Sequence, residues 1–196
     1  MLYLFESRIR SNYETGMDVE GIYRKSGGNS QVNQVKSNFE GGGDIDISDP
    51  DLDIHAVSSA LKGYLRALPM PLITFSVYDQ FLEAGNMQNP EQRSKALHAA
   101  LRELPRAHYD TLQFLVFHLS RVIQHASDNL VSVDPLDSCN MVTNMIQMTP
   151  LNLAVVFAPT IMRSVDINRE LTDMATQRKA VEALLENHKN VFFEEE

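Results

Sequence analysis

The chain has 196 residues, 43% of them hydrophobic, enough to fill the core of one domain. Its 17 Lys and Arg stand against 26 Asp and Glu, a formal charge of −9, which argues against a nucleic-acid binder, whose footprint is a net basic domain, but leaves room for a local basic patch. The single cysteine, Cys139, forbids an intrachain disulfide, and no run reaches the roughly 18 apolar residues of a spanning helix or forms a signal peptide, so a cytoplasmic protein without a membrane span is expected.

In chain order, EGIYRKSGGNS (residues 20–30) sets Arg24 and Lys25 between Gly21 and the Gly27–Gly28 pair. Asn29 or Ser30 then caps a predicted helix with Val32, Val35 and Phe39 on one face, which Gly41, Gly42 and Gly43 stop. Residues 44–52, DIDISDPDL, form an acidic loop. Asp53 caps the next helix, whose Ile54, Val57, Leu61, Tyr64, Leu65 and Leu68 fall in one stripe at about 100° per residue, and Pro69 and Pro71 end it. A helix over 74–84, the loop GNMQNP and a helix from Pro90 through Leu104 follow, with Pro90 as a first-turn proline.

Residues 107–126 carry the longest apolar face, with Leu112, Leu115, Val116, Leu119, Val122 and Ile123. The polar stretch DNLVSVDPLD precedes renewed helix from about Ser138. Thr149–Pro150 is a cap and first-turn proline opening LNLAVVFAP. Its Val-Val-Phe also suits a strand, but the length and the Thr-Pro start favour helix. Residues 169–190 make the last helix. With no internal repeat and few strand signals, one all-α, multi-helix domain over residues 1–196 is predicted.

Self-contained chemistry is hard to find. Gly41, Gly42 and Gly43 run into Asp44 without the lysine of a phosphate loop, and no HExxH or Cys-His cluster suggests a metal. The six histidines, His55, His98, His108, His118, His125 and His188, are scattered, and His118 suits a hydrogen-bonded structural role. Neither metal nor cofactor is expected.

Two features remain. Arg24 is either a surface arginine on a turn or one that glycine-flanked backbone pushes into a partner, where a guanidinium forks onto phosphate oxygens. Lys62 and Arg66, four apart, lie one turn above each other, roughly 115–155° from the centre of the apolar stripe. His55 and Ser59 share that side, and Gly63 keeps it low. This is either a solvated helix face or a docking face for an acidic or phosphate-bearing partner.

Three blocks in order resemble the Rho GTPase-activating (RhoGAP) domain family: GIYRKSG its arginine loop, LKGYLRALPMPLIT its LKxFLRxLPxPL block, and NLAVVFAPTIMR its NLAxVFxPxLxR block. HLSRVIQHAS sits where the family has a long helix before the third block, and the resemblance covers nearly the whole chain. It implies that Arg24 is an arginine finger supplied in trans to a GTP-bound Rho-family small GTPase. Lys62 and Arg66 are then the family's two basic positions, structuring the finger loop and touching the switch regions. Asn152 is its asparagine near the nucleotide site, and Pro159 its structural proline. GTP and magnesium belong to the partner, and a monomeric domain is expected.

The chain departs from the family pattern at Ala158, where glycine is usual, and at Gln147, which replaces a lysine. It departs also in a longer segment from Asn129 to Asn144 and in a start close to the first block, as for a domain cut from a longer protein. The alternatives are a module of this fold that binds a GTPase without stimulating it and, with less support, an enzyme with its own substrate. The presence of Arg24 favours activation.

Overall fold

The computed structural model describes residues 17–43, 51–127 and 147–193, and four of its eight described helices begin where a side-chain oxygen meets a bare backbone N–H. The described elements are α1 (Asn29–Glu40), α2 (Ile54–Ala67), α3 (Tyr78–Asn86), α4 (Pro90–Arg102), α5 (Arg106–Gln124), α6 (Pro150–Ile161), α7 (Ile167–Glu186) and α8 (His188–Phe192), with no strand among the described residues. The protein is all-α, as expected. Asp53 Oδ1 accepts the His55 N–H at 2.8 Å ahead of α2. Asn89 Oδ1 takes those of Glu91 and Gln92, each at 3.0 Å, with Pro90 in the first turn of α4. Thr149 Oγ1 takes the Asn152 N–H at 3.3 Å, and Asp166 Oδ1 that of Asn168 at 2.9 Å. Caps of this kind contribute about 1 kcal/mol each.

The ends that differ from expectation have local causes. α1 is capped by Gly28, with no side-chain bond, so Asn29 and Ser30 lie inside it. The Gly28 carbonyl already accepts the Val32 N–H at 2.9 Å. α3 starts at Tyr78 and not at 74, because Thr74 Oγ1 and Ser76 Oγ bond each other at 3.0 Å and the Val77 N–H donates back to the Thr74 carbonyl at 3.1 Å, a turn that competes with helix. The C-terminal helix divides at Asn187, whose φ of −113° and ψ of 21° are not helical. LNLAVVFAP is helix and not strand. The helix expected from Ser138 and the longer Asn129–Asn144 segment lie outside the described residues.

The chain divides into two compact units, Met1–Ala60 with Arg121–Asn152, and Leu61–Ser120 with Leu153–Glu196. In the first, α1 lays Val35 against Val57 and Ala60 of α2, with Val32, Phe39, Leu52 and Ile54 packed around them. In the second, α3 packs on α7 and α4, and α4 also on α7 and α8. Phe81, Leu97, Leu101, Leu112, Phe157 and Leu184 are fully enclosed there. At about 25 cal/mol per Å² of apolar surface removed from water, such side chains supply most of the favourable folding energy. No helix among the described residues is long and apolar enough to cross a membrane.

Candidate functional site

The segment bearing Arg24 is a tight turn on a buried base. Gly21, Ile22 and Tyr23 are buried, whereas Arg24, Lys25 and Ser26 are exposed. Three backbone bonds wind it: Ile22 N–H to Val19 O at 3.1 Å, Arg24 N–H to Gly21 O at 3.0 Å and Lys25 N–H to Gly21 O at 2.9 Å. Gly21 has φ 70°, which glycine adopts freely. Tyr23 has φ 65°, a left-handed conformation that costs a side-chain-bearing residue about 1–2 kcal/mol. Such strain persists only where the surroundings hold it in place; here it turns the chain outward immediately before Arg24. Lys25 lies over Gly21 and pairs with Glu20 at 2.9 Å, so it belongs to the turn itself.

The turn is seated on α2. The Gly27 N–H donates to Ser59 Oγ at 3.2 Å. A Cβ on Gly27 would lie under 3.0 Å from the Ala56 backbone, so this position admits no side chain. Gly28 has no such need, for a Cβ there meets nothing within 4 Å. The glycines thus serve the protein's own turn and its contact with α2.

The two basic residues of α2 differ from each other. Arg66 is exposed, whereas Lys62 is only 7% exposed. Burial, and secondly the charge of Arg66, hold the Lys62 ammonium below its ordinary pKa of 10.5. A helical wheel records only the helix's own apolar stripe, and Lys62 is enclosed although it lies well away from that stripe.

The end of α2 is held from another segment. Arg163 Nη1 donates to the Arg66 carbonyl at 3.0 Å, and Nη2 to those of Leu68 at 2.6 Å and Pro69 at 2.8 Å. The guanidinium also stands 5.8 Å from the centre of the Phe75 ring. A cation at the last carbonyls of a helix meets the negative end of its dipole. Arg163 closes the third sequence block, yet nothing in the sequence marks it as a cap for a helix about a hundred residues earlier.

Asn152 stands in the first turn of α6, half-buried, and its Nδ2 donates to the Gln147 carbonyl at 2.6 Å. The Thr149 N–H donates to the same carbonyl at 2.9 Å. Asn152 therefore fixes the backbone of Gln147, whose own side chain is exposed. Along α6, Leu151, Val155 and Pro159 recur every four residues and are all exposed, Leu151 to 51% and Val155 to 42%. That open apolar stripe was invisible in a run where nearly every residue is apolar. The structure thus places the Arg24 turn on α2 at Ala56 and Ser59, sets Lys62 and Arg66 one turn apart on that helix, and puts Asn152 on α6. Among the described residues no group of three or more His, Cys, Asp or Glu is placed to hold a metal.

Comparison with known proteins bears on the family and the fold. The family model described as the RhoGAP domain matches residues 4–166. N-chimaerin of Mus musculus is 37% identical over 189 residues, covering 94% of this chain and 37% of that protein. Rho GTPase-activating protein 21 of Xenopus tropicalis is 35% identical over 187 residues, 93% of this chain and 9% of that one. The chain spans 37% to 58% of the length of the chimaerins it matches. Among solved structures, human Rho GTPase activating protein 15 superposes with a TM-score of 0.81 at 27% identity, over 97% of this chain and 83% of that one. The BH domain of GRAF, the GTPase regulator associated with focal adhesion kinase, gives 0.77 at 29%, over 96% and 92%. Because the family model spans well over half of the sequence and includes all three blocks, this chain belongs to the RhoGAP domain family.

Proposed function

We propose that residues 1–196 act as one GTPase-activating domain, which docks on a GTP-loaded Rho-family small GTPase and inserts Arg24 into its nucleotide site. Hydrolysis of GTP spreads negative charge over the transferred phosphoryl group and the bridging oxygen. A guanidinium brought in from outside meets that charge and helps to exclude water; in Ras-type GTPases it is worth about 10³–10⁵ in rate. At 1.36 kcal/mol per decade this is about 4–7 kcal/mol of barrier. The observation that carries the proposal is the Arg24 turn: a strained, buried base presenting one exposed arginine, with its backbone position set by hydrogen bonds and by the close contact of Gly27 with α2. Little order has to be created when the arginine enters a partner, which leaves more of the interaction for the transition state.

Arg66 and Asn152 serve as docking groups in this proposal. Lys62, being enclosed, acts mainly by supporting the loop side of α2 and by its field. The chain brings no cofactor, since GTP and magnesium are the partner's, and works as a monomer. Its net acidity is no obstacle, because the basic groups are focused locally.

The test is single-turnover phosphate release from a panel of GTP-loaded Rho, Rac and related GTPases, at saturating wild-type chain and at saturating Arg24→Ala. Wild type should accelerate at least one of them strongly and the variant hardly at all. An alanine variant as fast as wild type on a responsive GTPase would overturn the finger assignment. A transition-state mimic, the fluoride complex of the GDP form, should also bind wild type more tightly than the variant.

A further inference from the structure

We propose that Arg163 is a positioning residue that fixes the docking arginine Arg66; the inference rests on the docking role proposed above for Arg66. A helix that ends at Ala67 leaves its last carbonyls without intrahelical donors, and Pro69, lacking an N–H, cannot supply one. The Leu68 N–H reaches only the Leu65 carbonyl, at 3.4 Å. Arg163 fills the gap with one planar group on three acceptors: the carbonyl of Arg66 itself and those of Leu68 and Pro69. The chain beyond is tied as well, by Ile73 N–H to Ile161 O at 2.9 Å and by a 3.2 Å bond between His108 Nδ1 and the Leu72 carbonyl.

Without Arg163, the last turn of α2 is free to fray from its end at Ala67, and Arg66, whose own carbonyl Arg163 holds, lies in the turn that loosens. The Arg66 side chain is exposed, so where it reaches depends on where its backbone is held. An ammonium cannot replace this fork, because it lacks two planar prongs that reach separate carbonyls.

The experiment measures half-saturation and saturating rate of stimulated hydrolysis on a responsive GTPase for wild type, Arg163→Gln, Arg163→Lys, Arg66→Ala and the Arg66→Ala/Arg163→Gln double variant, with melting temperature alongside. Arg163→Gln should raise the half-saturating concentration about three- to thirtyfold with an unchanged saturating rate, and Arg163→Lys should recover only part of that. In the Arg66→Ala background the same change should add almost nothing, because the residue it acts through is gone. A merely structural arginine would lower the melting temperature yet leave half-saturation per folded molecule unchanged, and that result overturns the proposal. So does an undiminished shift in the Arg66→Ala background. Should Arg163→Gln not fold, Arg163→Lys alone and combined with Arg66→Ala carries the same cycle. If the wild-type chain stimulates no GTPase, the activating function falls and the role of Arg163 with it; if wild type is active and the Arg163 variants match it, only the present inference falls.

Discussion

Arg24 and Arg66 are both exposed arginines, yet the chain holds them in opposite ways. Arg24 sits on an irregular turn in which a residue at φ 65° is kept by a buried base. Arg66 sits on a regular helix that is finished by a second arginine from another segment. The turn confines its arginine mainly through backbone geometry, so its function should be sensitive to backbone substitutions nearby. The helix supplies ordinary geometry and needs only its end secured, so Arg66 should be sensitive to distant side chains. One group is suited to entering a site, the other to meeting a surface.

The strongest way to break the comparison is to remove the two arginines in turn. Arg24→Ala should lower the saturating rate of stimulated hydrolysis by roughly 10³–10⁵ with an unchanged melting temperature, and lysine at that place should restore little. Arg66→Ala should leave the saturating rate nearly intact and weaken half-saturation by about 1.5–3 kcal/mol, a loss that shrinks as salt rises. Equal effects of both substitutions on the saturating rate would erase the distinction between them.

Smaller effects sharpen it. Gly27→Val forces a Cβ onto the Ala56 backbone and should destabilise the fold by about 1–3 kcal/mol, as overpacking does. Gly28→Ala, where a Cβ meets nothing, should be nearly silent in the same thermal unfolding experiment. Asn152→Ala removes the bond to the Gln147 carbonyl and should cost about 1 kcal/mol of stability. Activity per folded molecule then shows whether Asn152 also touches the partner: a loss beyond the unfolded fraction supports contact, and its absence confines Asn152 to the fold.

The smallest expected effect lies on α7, apart from either arginine. Burial, and secondly Glu186, raise the Glu182 carboxyl above its ordinary 4.5, with Arg93 opposing. The folded state therefore holds its proton more tightly than the unfolded one. That contribution is fully present below pH 4.5 and is lost as pH rises through the higher folded value. Glu182→Gln should flatten this part of the stability profile in urea titrations from pH 4 to 7. It should leave stimulation of the GTPase unchanged.

Most of the fold was legible because helix starts are local. Asp53 and Thr149 announce themselves by type and place, and their side chains make the expected bonds, while Pro90 takes its expected place in the first turn of α4. The stripe of α2 was equally clear. What could not be read was everything set by another segment. Lys62 lies on the polar side of its own wheel and is nevertheless enclosed. Gly28 looks as necessary as Gly27 until the position of α2 separates them. Arg163 and Arg66 are 97 residues apart in the chain and meet through carbonyls, which carry no residue identity. The strain at Tyr23 was hidden for a related reason, since tyrosine is not a residue that advertises a positive φ.

The bond between the Gly27 amide and Ser59 Oγ has a consequence for measurement. This amide is protected from solvent deuterium only while the turn rests on α2, and it exchanges when the turn lifts. Its exchange rate, set beside those of α1 and α2, gives the free energy of that one opening. A single resonance therefore reports how firmly the turn is seated before any partner arrives, and whether a substitution elsewhere has loosened it.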